Sequence, residues 1–122
     1  MRVLVCGSRT FSNRALMDKH LSKLNLKPGD VVIEGEARGA DLMARGWAED
    51  HDISVEDYPA DWKKYGRRAG SVRNKQMLVE GKPDLVIAFF AGPEKSPGTS
   101  NMVRQSREAG IRAIEVVAGL RL

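Results

Sequence analysis

A chain of 122 residues, with 42% hydrophobic and 30% charged side chains, has the size and composition of one water-soluble globular domain. Its single cysteine, Cys6, excludes an internal disulfide and favours a reducing compartment, and no apolar run approaches the ~20 residues of a membrane-spanning helix. The net charge of +4 is modest, and we expect a cytoplasmic protein without membrane contact.

Five short apolar runs rich in β-branched residues predict the buried strands of a parallel sheet. In chain order they are residues 3–6, 31–33, 53–55, 85–90 and 111–117. Four amphipathic patterns between them predict helices. The first helix is capped by Ser12 and ends at residues 27–30, the second fades at Asp52, the third spans 70–79, and the fourth runs from Thr99 to Gly110.

Strands and helices alternate with short connections, which predicts a three-layer α/β domain with a mainly parallel five-stranded sheet between two layers of helices. We expect residues 1–117 to form this domain and residues 118–122 to form a short C-terminal tail. Ligands of such sheets bind beyond the carboxyl ends of the strands.

Three of the predicted strands end in Gly-rich corners that also carry hydroxyl or charged groups. Glycine lets the backbone approach a ligand, and the helix that follows supplies N–H groups and the positive end of its dipole. Three such corners predict one crevice for a nucleotide-like ligand. The corners are Gly7-Ser8-Arg9-Thr10, residues 34–41, and Ser96-Pro97-Gly98-Thr99-Ser100.

The first two corners carry guanidinium and carboxyl groups. Arg9 is suited to bidentate phosphate binding, and an ordinary turn with an exposed arginine is the alternative. In the second corner, Arg38 is a candidate phosphate ligand. Glu36 and Asp41 are candidates for binding ribose hydroxyls or for acid catalysis, although Asp41 alternatively only complements a helix dipole.

The third corner opens the last predicted helix with Gly98, Thr99 and Ser100, and Ser96 lies just before it. Helix capping alone would explain one of the hydroxyl groups. The glycine and the flexible approach at residues 91–93 favour anion binding instead.

Residues 60–76 contain six lysines and arginines against one acid, a local net charge of +5. Such a run is either a solvated helix face or an electropositive wall for a phosphate or a nucleic-acid backbone. Within it, Trp62 is either an aromatic plate for a base or a core anchor. Arg73 and Asn74, at the start of the third helix, are either phosphate ligands or solvent-exposed.

The sequence gives little evidence for a metal site or for a reactive cysteine. His20 and His51 lie on separate predicted helices without a ligand-spaced partner. Cys6 ends a buried strand, where a small core residue is expected. We predict no metal and no cofactor.

Taken in order, five motifs resemble the SLOG superfamily and, more narrowly, its small YspA-related group. They are Gly7-Ser8-Arg9, Gly35-Glu36-Ala37-Arg38-Gly39-Ala40-Asp41, Pro59-Ala60-Asp61-Trp62, Arg73-Asn74-x-x-Met77 and Gly98-Thr99-Ser100-Asn101-Met102. The resemblance covers nearly the whole chain and implies a Rossmann-like domain that binds nucleotides or nucleotide-derived ligands. The implied binding positions are Gly7, Ser8, Arg9, Gly35, Arg38, Asp41, Arg73, Gly98 and Thr99.

The resemblance also implies a homodimer, for which exposed Met and Val positions on the third and fourth helices, such as Met77 and Met102, are expected to supply an apolar patch. One position departs from a related group, the LONELY GUY phosphoribohydrolases. Their P-G-G-x-G-T-x-x-E motif places a glutamate for N-glycosidic cleavage where this chain has Met102. A thioether cannot ionise or move a proton.

Three functions therefore compete. The first is the binding or sensing of a nucleotide-like small molecule. The second is hydrolysis of an N-glycosidic bond, with Asp41, Glu34 or Glu36 in place of the missing glutamate. The third is nucleic-acid binding, which the basic run and the resemblance to the DNA-processing protein A family favour.

Overall fold

A computed structural model, which describes residues 1–119, alternates strands and helices along the chain. The strands are β1 (Arg2–Gly7), β2 (Val31–Glu34), β3 (Ser54–Asp57), β4 (Leu85–Phe90) and β5 (Ala113–Val117). The helices are α1 (Arg14–Ser22), α2 (Ala40–Asp50), α3 (Trp62–Tyr65), α4 (Ala69–Val79) and α5 (Pro97–Glu108), with a 3-10 turn at Gly66–Arg68 between α3 and α4.

The five strands form one sheet in the order β3-β2-β1-β4-β5, and every neighbouring pair is parallel. In the central strand β1, Val3 pairs with Val32 on one side and with Leu85 on the other. β2 and β3 therefore lie on one side of β1, and β4 and β5, which come later in the chain, lie on its other side. The order reverses between β1 and β4, which is where open α/β sheets bind their ligands. The predicted three-layer α/β fold is confirmed.

The two faces of the sheet are covered by different helices. Alternate residues of a strand point to opposite faces, so Val3 and Val5 pack with side chains of α1 and α2, whereas Leu4 and Cys6 pack with side chains of α4 and α5. The carboxyl ends of the strands are left accessible between these layers.

Met77 and Met102 belong to the second of these core clusters. Their side chains are 1% and 0% exposed, because both lie on the sheet-facing sides of α4 and α5. The prediction that they form an exposed apolar patch is therefore wrong.

Several predicted boundaries are wrong by a few residues. The N-cap of α1 is Asn13 rather than Ser12, since the Asn13 Oδ1 accepts a hydrogen bond from the Leu16 N–H at 3.0 Å. The helix also ends at Ser22, and Asn25 follows it in a left-handed conformation (φ 52°). β3 extends to Asp57, and β5 begins at Ala113.

The last helix, α5, begins at Pro97, two residues before the predicted start. It ends at Glu108, and Gly110 has the positive φ of 78° expected of a glycine that terminates a helix. The predicted tail begins at Ala118, whose N–H donates to the Phe90 carbonyl at 2.9 Å. Residues 120–122 lie outside the described residues.

Within residues 1–119, no helix combines the length and the apolar character needed to cross a bilayer.

Candidate functional site

A crevice of about 760 Å³ opens between the loops that follow β1 and β4. Residues 7–10 line it on the β1 side, and residues 95–99 line it on the β4 and α5 side. The first and third Gly-rich corners therefore meet at the point where the strand order reverses, as the sequence predicted. We call this space the main lobe.

A second space of about 420 Å³, the side lobe, adjoins the main lobe. Gly35, Glu36 and Arg38 line it together with Pro59 and Ala60. Four residues line both lobes, so the two spaces are parts of one site. They are Arg9, Ala37, Trp62 and Arg73.

Gly7 and Ser8 join the corner after β1 to β4. A Cβ at Gly7 would lie 2.2 Å from the Phe89 carbonyl oxygen, so no larger residue fits. The Ser8 N–H donates to that carbonyl at 2.9 Å, and the Ser8 hydroxyl oxygen accepts from the Ala91 N–H at 3.1 Å. Gly7 is thus required by packing, while the Ser8 hydroxyl keeps its proton for a ligand.

Gly39 holds the second corner against the first. Its φ is +82°, and a Cβ there would lie 2.4 Å from the Ser8 carbonyl oxygen and 2.5 Å from that of Arg9. The N–H of Ala40, at the start of α2, donates to the same Ser8 carbonyl at 3.2 Å. The close approach of the two corners depends on glycine at this position.

Asp41 lies in the first turn of α2, as predicted, and lines the main lobe although it is only 5% exposed. Its Oδ2 accepts hydrogen bonds from the N–H groups of Gly35 and Ala37, at 3.2 and 3.3 Å. Burial raises the pKa of Asp41 to about 6, against the opposing effect of the Arg73 guanidinium. The carboxyl group both shapes the corner and faces the crevice.

The other two candidate acids are directed away from the main lobe. Glu34 is fully buried beneath the corner, where its Oε2 accepts from the Glu36 N–H at 2.5 Å. Glu36 has a left-handed backbone (φ 58°), and its side chain pairs with Arg45 at 3.2 Å. Of the three, Asp41 is the acid that reaches the main lobe.

Arg73 lies in the middle of α4, rather than at the start of the helix as predicted. Its Nη1 donates to the Gly35 carbonyl at 2.5 Å, and its Nε donates to the Asn74 Oδ1 at 3.1 Å. A Cβ at Gly35 would lie 2.3 Å from the Arg73 Nη1, so this glycine makes room for the guanidinium. The cation is thereby held between the two lobes.

Asn74 is buried rather than solvent-exposed, and its side chain links α4 to α5. Its Nδ2 donates to the Gly98 carbonyl and to the Asn101 Oδ1, both at 3.2 Å. It therefore couples the orientation of Arg73 to the first turn of α5.

The N-terminus of α5 faces the main lobe with donor groups. Ser96 is the N-cap and makes no side-chain capping hydrogen bond to the helix; its hydroxyl donates to the Thr99 hydroxyl oxygen at 2.8 Å instead. Pro97 has no N–H, and the N–H groups of Gly98 and Thr99 find no acceptor among residues 1–119. Such donors, at the positive end of a helix dipole, favour an anion. Ser100, also predicted here, does not line the lobe.

Trp62 begins α3 and is 52% exposed, which excludes the alternative of a core anchor. Its ring lies over the site, with the Arg9 guanidinium carbon 6.0 Å from the ring centroid. An exposed indole beside the Arg9 guanidinium offers a stacking surface for a planar base.

Sequence reasoning missed five polar residues that also line the main lobe. Arg67 and Lys95 add positive charge, Glu94 adds a carboxylate, and Ser71 and Asn101 add a hydroxyl and an amide. Arg67 was visible only as one cation of the basic run, and Asn101 only as part of a motif. No local pattern indicates which of them faces the crevice.

Comparisons with known proteins show which family the chain resembles. Residues 1–65 match the family described as the YspA, cpYpsA-related SLOG family. The chain is also similar to the Gene 61 protein of Mycobacterium phage D29, with 38% identity over 120 residues that cover 93% of this chain and 94% of the phage protein.

Proposed function

The chain belongs to the YspA-related group of the SLOG superfamily, and from this premise we propose that it binds or senses a nucleotide or nucleotide-derived ligand in the main lobe. The observation that carries the proposal is the meeting of two guanidinium groups with the donors of a helix N-terminus around one space. Arg9, Arg73 and the first turn of α5 all line the main lobe. Phosphate is the anion that this combination of groups suits best.

The remaining groups suit the other parts of a nucleotide. The exposed face of Trp62 suits a base, and the Asp41 carboxyl, whose Oδ1 has no hydrogen-bond partner among the described residues, suits ribose hydroxyls. The Ser8 and Thr99 hydroxyls add donors near the phosphate. In this pose the phosphate lies at α5 and the base lies towards α3.

Native mass spectrometry of the purified protein, followed by titration with the four ribonucleoside 5′-monophosphates, tests this proposal. Arg9→Ala should weaken binding of the phosphorylated ligand by about 1.5–3 kcal/mol, as for a charge-assisted hydrogen bond. Affinity for the matching nucleoside should barely change. Arg9 is the better position for this test, because Arg73 also holds the Gly35 carbonyl and its removal would disturb the corner.

Arg112→Ala provides the matched control, since Arg112 is exposed and precedes β5 at the opposite end of the strands. It removes the same charge far from the crevice and should leave nucleotide affinity unchanged. Equal losses of nucleotide and nucleoside affinity in Arg9→Ala would contradict phosphate binding by this residue.

A second candidate function is cleavage of an N-glycosidic bond, which Asp41 favours. A buried carboxyl with a pKa near 6 exchanges a proton readily close to neutral pH. Glycosidic cleavage, however, commonly uses two carboxyl groups. The second acid of the main lobe, Glu94, is exposed on the loop after β4, and Met102 is a buried thioether at the lobe. We therefore rank binding above catalysis.

The expected catalytic result is at most slow release of base from nucleoside monophosphates, abolished by Asp41→Asn. The amide keeps an oxygen that can accept from Gly35 and Ala37, so the corner should remain folded. Chromatographic detection of free base measures the reaction. Rapid turnover that survives Asp41→Asn would show that another group performs the chemistry.

A further inference from the structure

The main lobe is not closed on the side of α4 and α5. A groove of about 640 Å³ runs between these two helices, and Ser71 and Asn101 line both the groove and the main lobe. A ligand bound in the lobe therefore has a continuous path over the protein surface.

The charge of the groove changes along its length. Both helices begin beside the crevice; Arg68 lies just before α4, whereas Lys75 and Arg104 lie in the second halves of α4 and α5. Its acids, Glu80 and Glu108, lie where the two helices end. Along each helix the cations therefore come before the acid, and the three cations outnumber the two acids.

These cations are available to a partner. Among the ion pairs of residues 1–119, none includes Arg68 or Lys75, and Arg104 makes only an exposed pair with Glu108 at 3.9 Å. Cations that the fold does not neutralise, in a groove rather than on a convex face, suit a chain of phosphates.

We propose that the ligand is a single-stranded oligonucleotide, with its terminal nucleotide in the main lobe and its next backbone phosphates in the groove beside Arg68, Lys75 and Arg104. This inference rests on the proposed nucleotide binding and extends it. Trp62 receives the terminal base, and the helix N-terminus of α5 receives the terminal phosphate. From Arg68 to Lys75 the groove extends about 10 Å along α4, at 1.5 Å per residue.

The test compares each ribonucleoside 5′-monophosphate with its 5′-phosphorylated homopolymeric tetranucleotide, at low salt, in equilibrium titrations. The tetranucleotide should bind about tenfold more tightly, as expected for a few exposed ionic contacts. Its affinity should also fall more steeply with salt, by a slope of roughly 0.7 for each additional phosphate contacted.

The double variant Lys75→Gln, Arg104→Gln should remove most of this gain while leaving the affinity for the mononucleotide unchanged. The matched control is Lys19→Gln, Lys23→Gln, which removes two exposed charges beside α1, on the other face of the sheet. It should retain the tighter binding of the tetranucleotide.

The outcomes separate the two proposals. If mononucleotides bind but tetranucleotides bind no more tightly, the groove proposal is overturned and nucleotide binding stands. If neither binds, both proposals fail. The proposed placement, with the terminal nucleotide in the main lobe and the next phosphates in the groove, is wrong in two further cases. In the first, the Lys75→Gln, Arg104→Gln variant keeps the tighter binding of the tetranucleotide. In the second, only tetranucleotides bind. A concentration-dependent dimer that covers the groove would likewise overturn this placement.

Discussion

Glu34 stands out among the buried side chains because it is fully enclosed and incompletely hydrogen-bonded. Its Oε2 accepts from the Glu36 N–H, whereas its Oε1 has no partner among the described residues. Burial raises the pKa of Glu34 to about 8, and the neighbouring Asp57 carboxyl adds to the shift. The group is therefore mostly protonated at neutral pH, beneath a corner that lines the side lobe.

This pKa predicts that the protein loses stability as the pH rises. The ordinary pKa of glutamate is 4.5, so between pH 4.5 and about 8 the folded protein binds more protons than the unfolded chain. The contribution of Glu34 is greatest below pH 4.5 and falls until the pH passes about 8. Urea unfolding at pH 5 and pH 8 measures the difference in the free energy of unfolding between the two pH values. The substitution Glu34→Gln should make this difference smaller.

Glu80→Gln is the control for this prediction, because Glu80 is exposed at the end of α4. The pH dependence of its unfolding should match that of the unchanged protein. Asp41 contributes with the same sign up to about pH 6, but it does so equally in all three proteins. A Glu34→Gln protein with unaltered pH dependence would show that Glu34 is ionised in the folded state.

At the scale of elements, α3 is exposed along its whole length. None of its four residues is buried, and its first turn is held by the Asp61 carboxylate, which accepts from the Lys64 N–H at 3.0 Å. Gly66 follows in a left-handed conformation (φ 56°). The helix thus presents Trp62 to the crevice without contributing a side chain to the core.

Trp62→Ala should therefore weaken nucleotide binding with little change in stability. Loss of one base-stacking contact costs roughly 1–3 kcal/mol of binding free energy, and titration combined with urea unfolding separates the two effects. Tyr65→Ala is the matched control, since Tyr65 is also an exposed aromatic of α3 but does not line either lobe. A large loss of stability in Trp62→Ala would indicate a structural role.

The long elements could be predicted from the sequence, because their periodicity reflects which face is buried. The strands at residues 3–6 and 85–90 and the helix around Met43 and Ala44 are of this kind. α3 could not be predicted, since its four residues are too few to show a helical periodicity of apolar side chains. The three Gly-rich corners could also be assigned to one edge of the sheet, because parallel strands end together.

The roles within the site were harder to predict than its location. Gly7 and Gly39 are required by contacts with residues distant in the chain, and Asn74 is buried by α5. Met102 differs from its expected exposure because helix rotation depends on packing against β4. Such features follow from tertiary contacts, which local patterns do not encode.

For the whole molecule, homodimer formation stays a prediction. With Met77 and Met102 in the core, the expected apolar patch loses both methionines, whereas Val79 of α4 is 61% exposed. Analytical ultracentrifugation over a wide concentration range measures the oligomeric state of the protein. A particle of about 13.5 kDa at every concentration would exclude the dimer.

The position of β1 in the sheet also determines when the chain can finish folding. β1 precedes β2, with which it pairs within the first 34 residues, but its other neighbour, β4, follows only at residues 85–90. On the ribosome, an emerging fragment of residues 1–65 would expose one edge of an apolar strand, and open edges invite pairing with other chains. Because residues 7–10 and 95–99 both line the ligand crevice, the crevice forms only after this edge has been covered. A ligand of this crevice would therefore bind only after β4 and α5 have packed against β1, and its binding would stabilise the closed sheet.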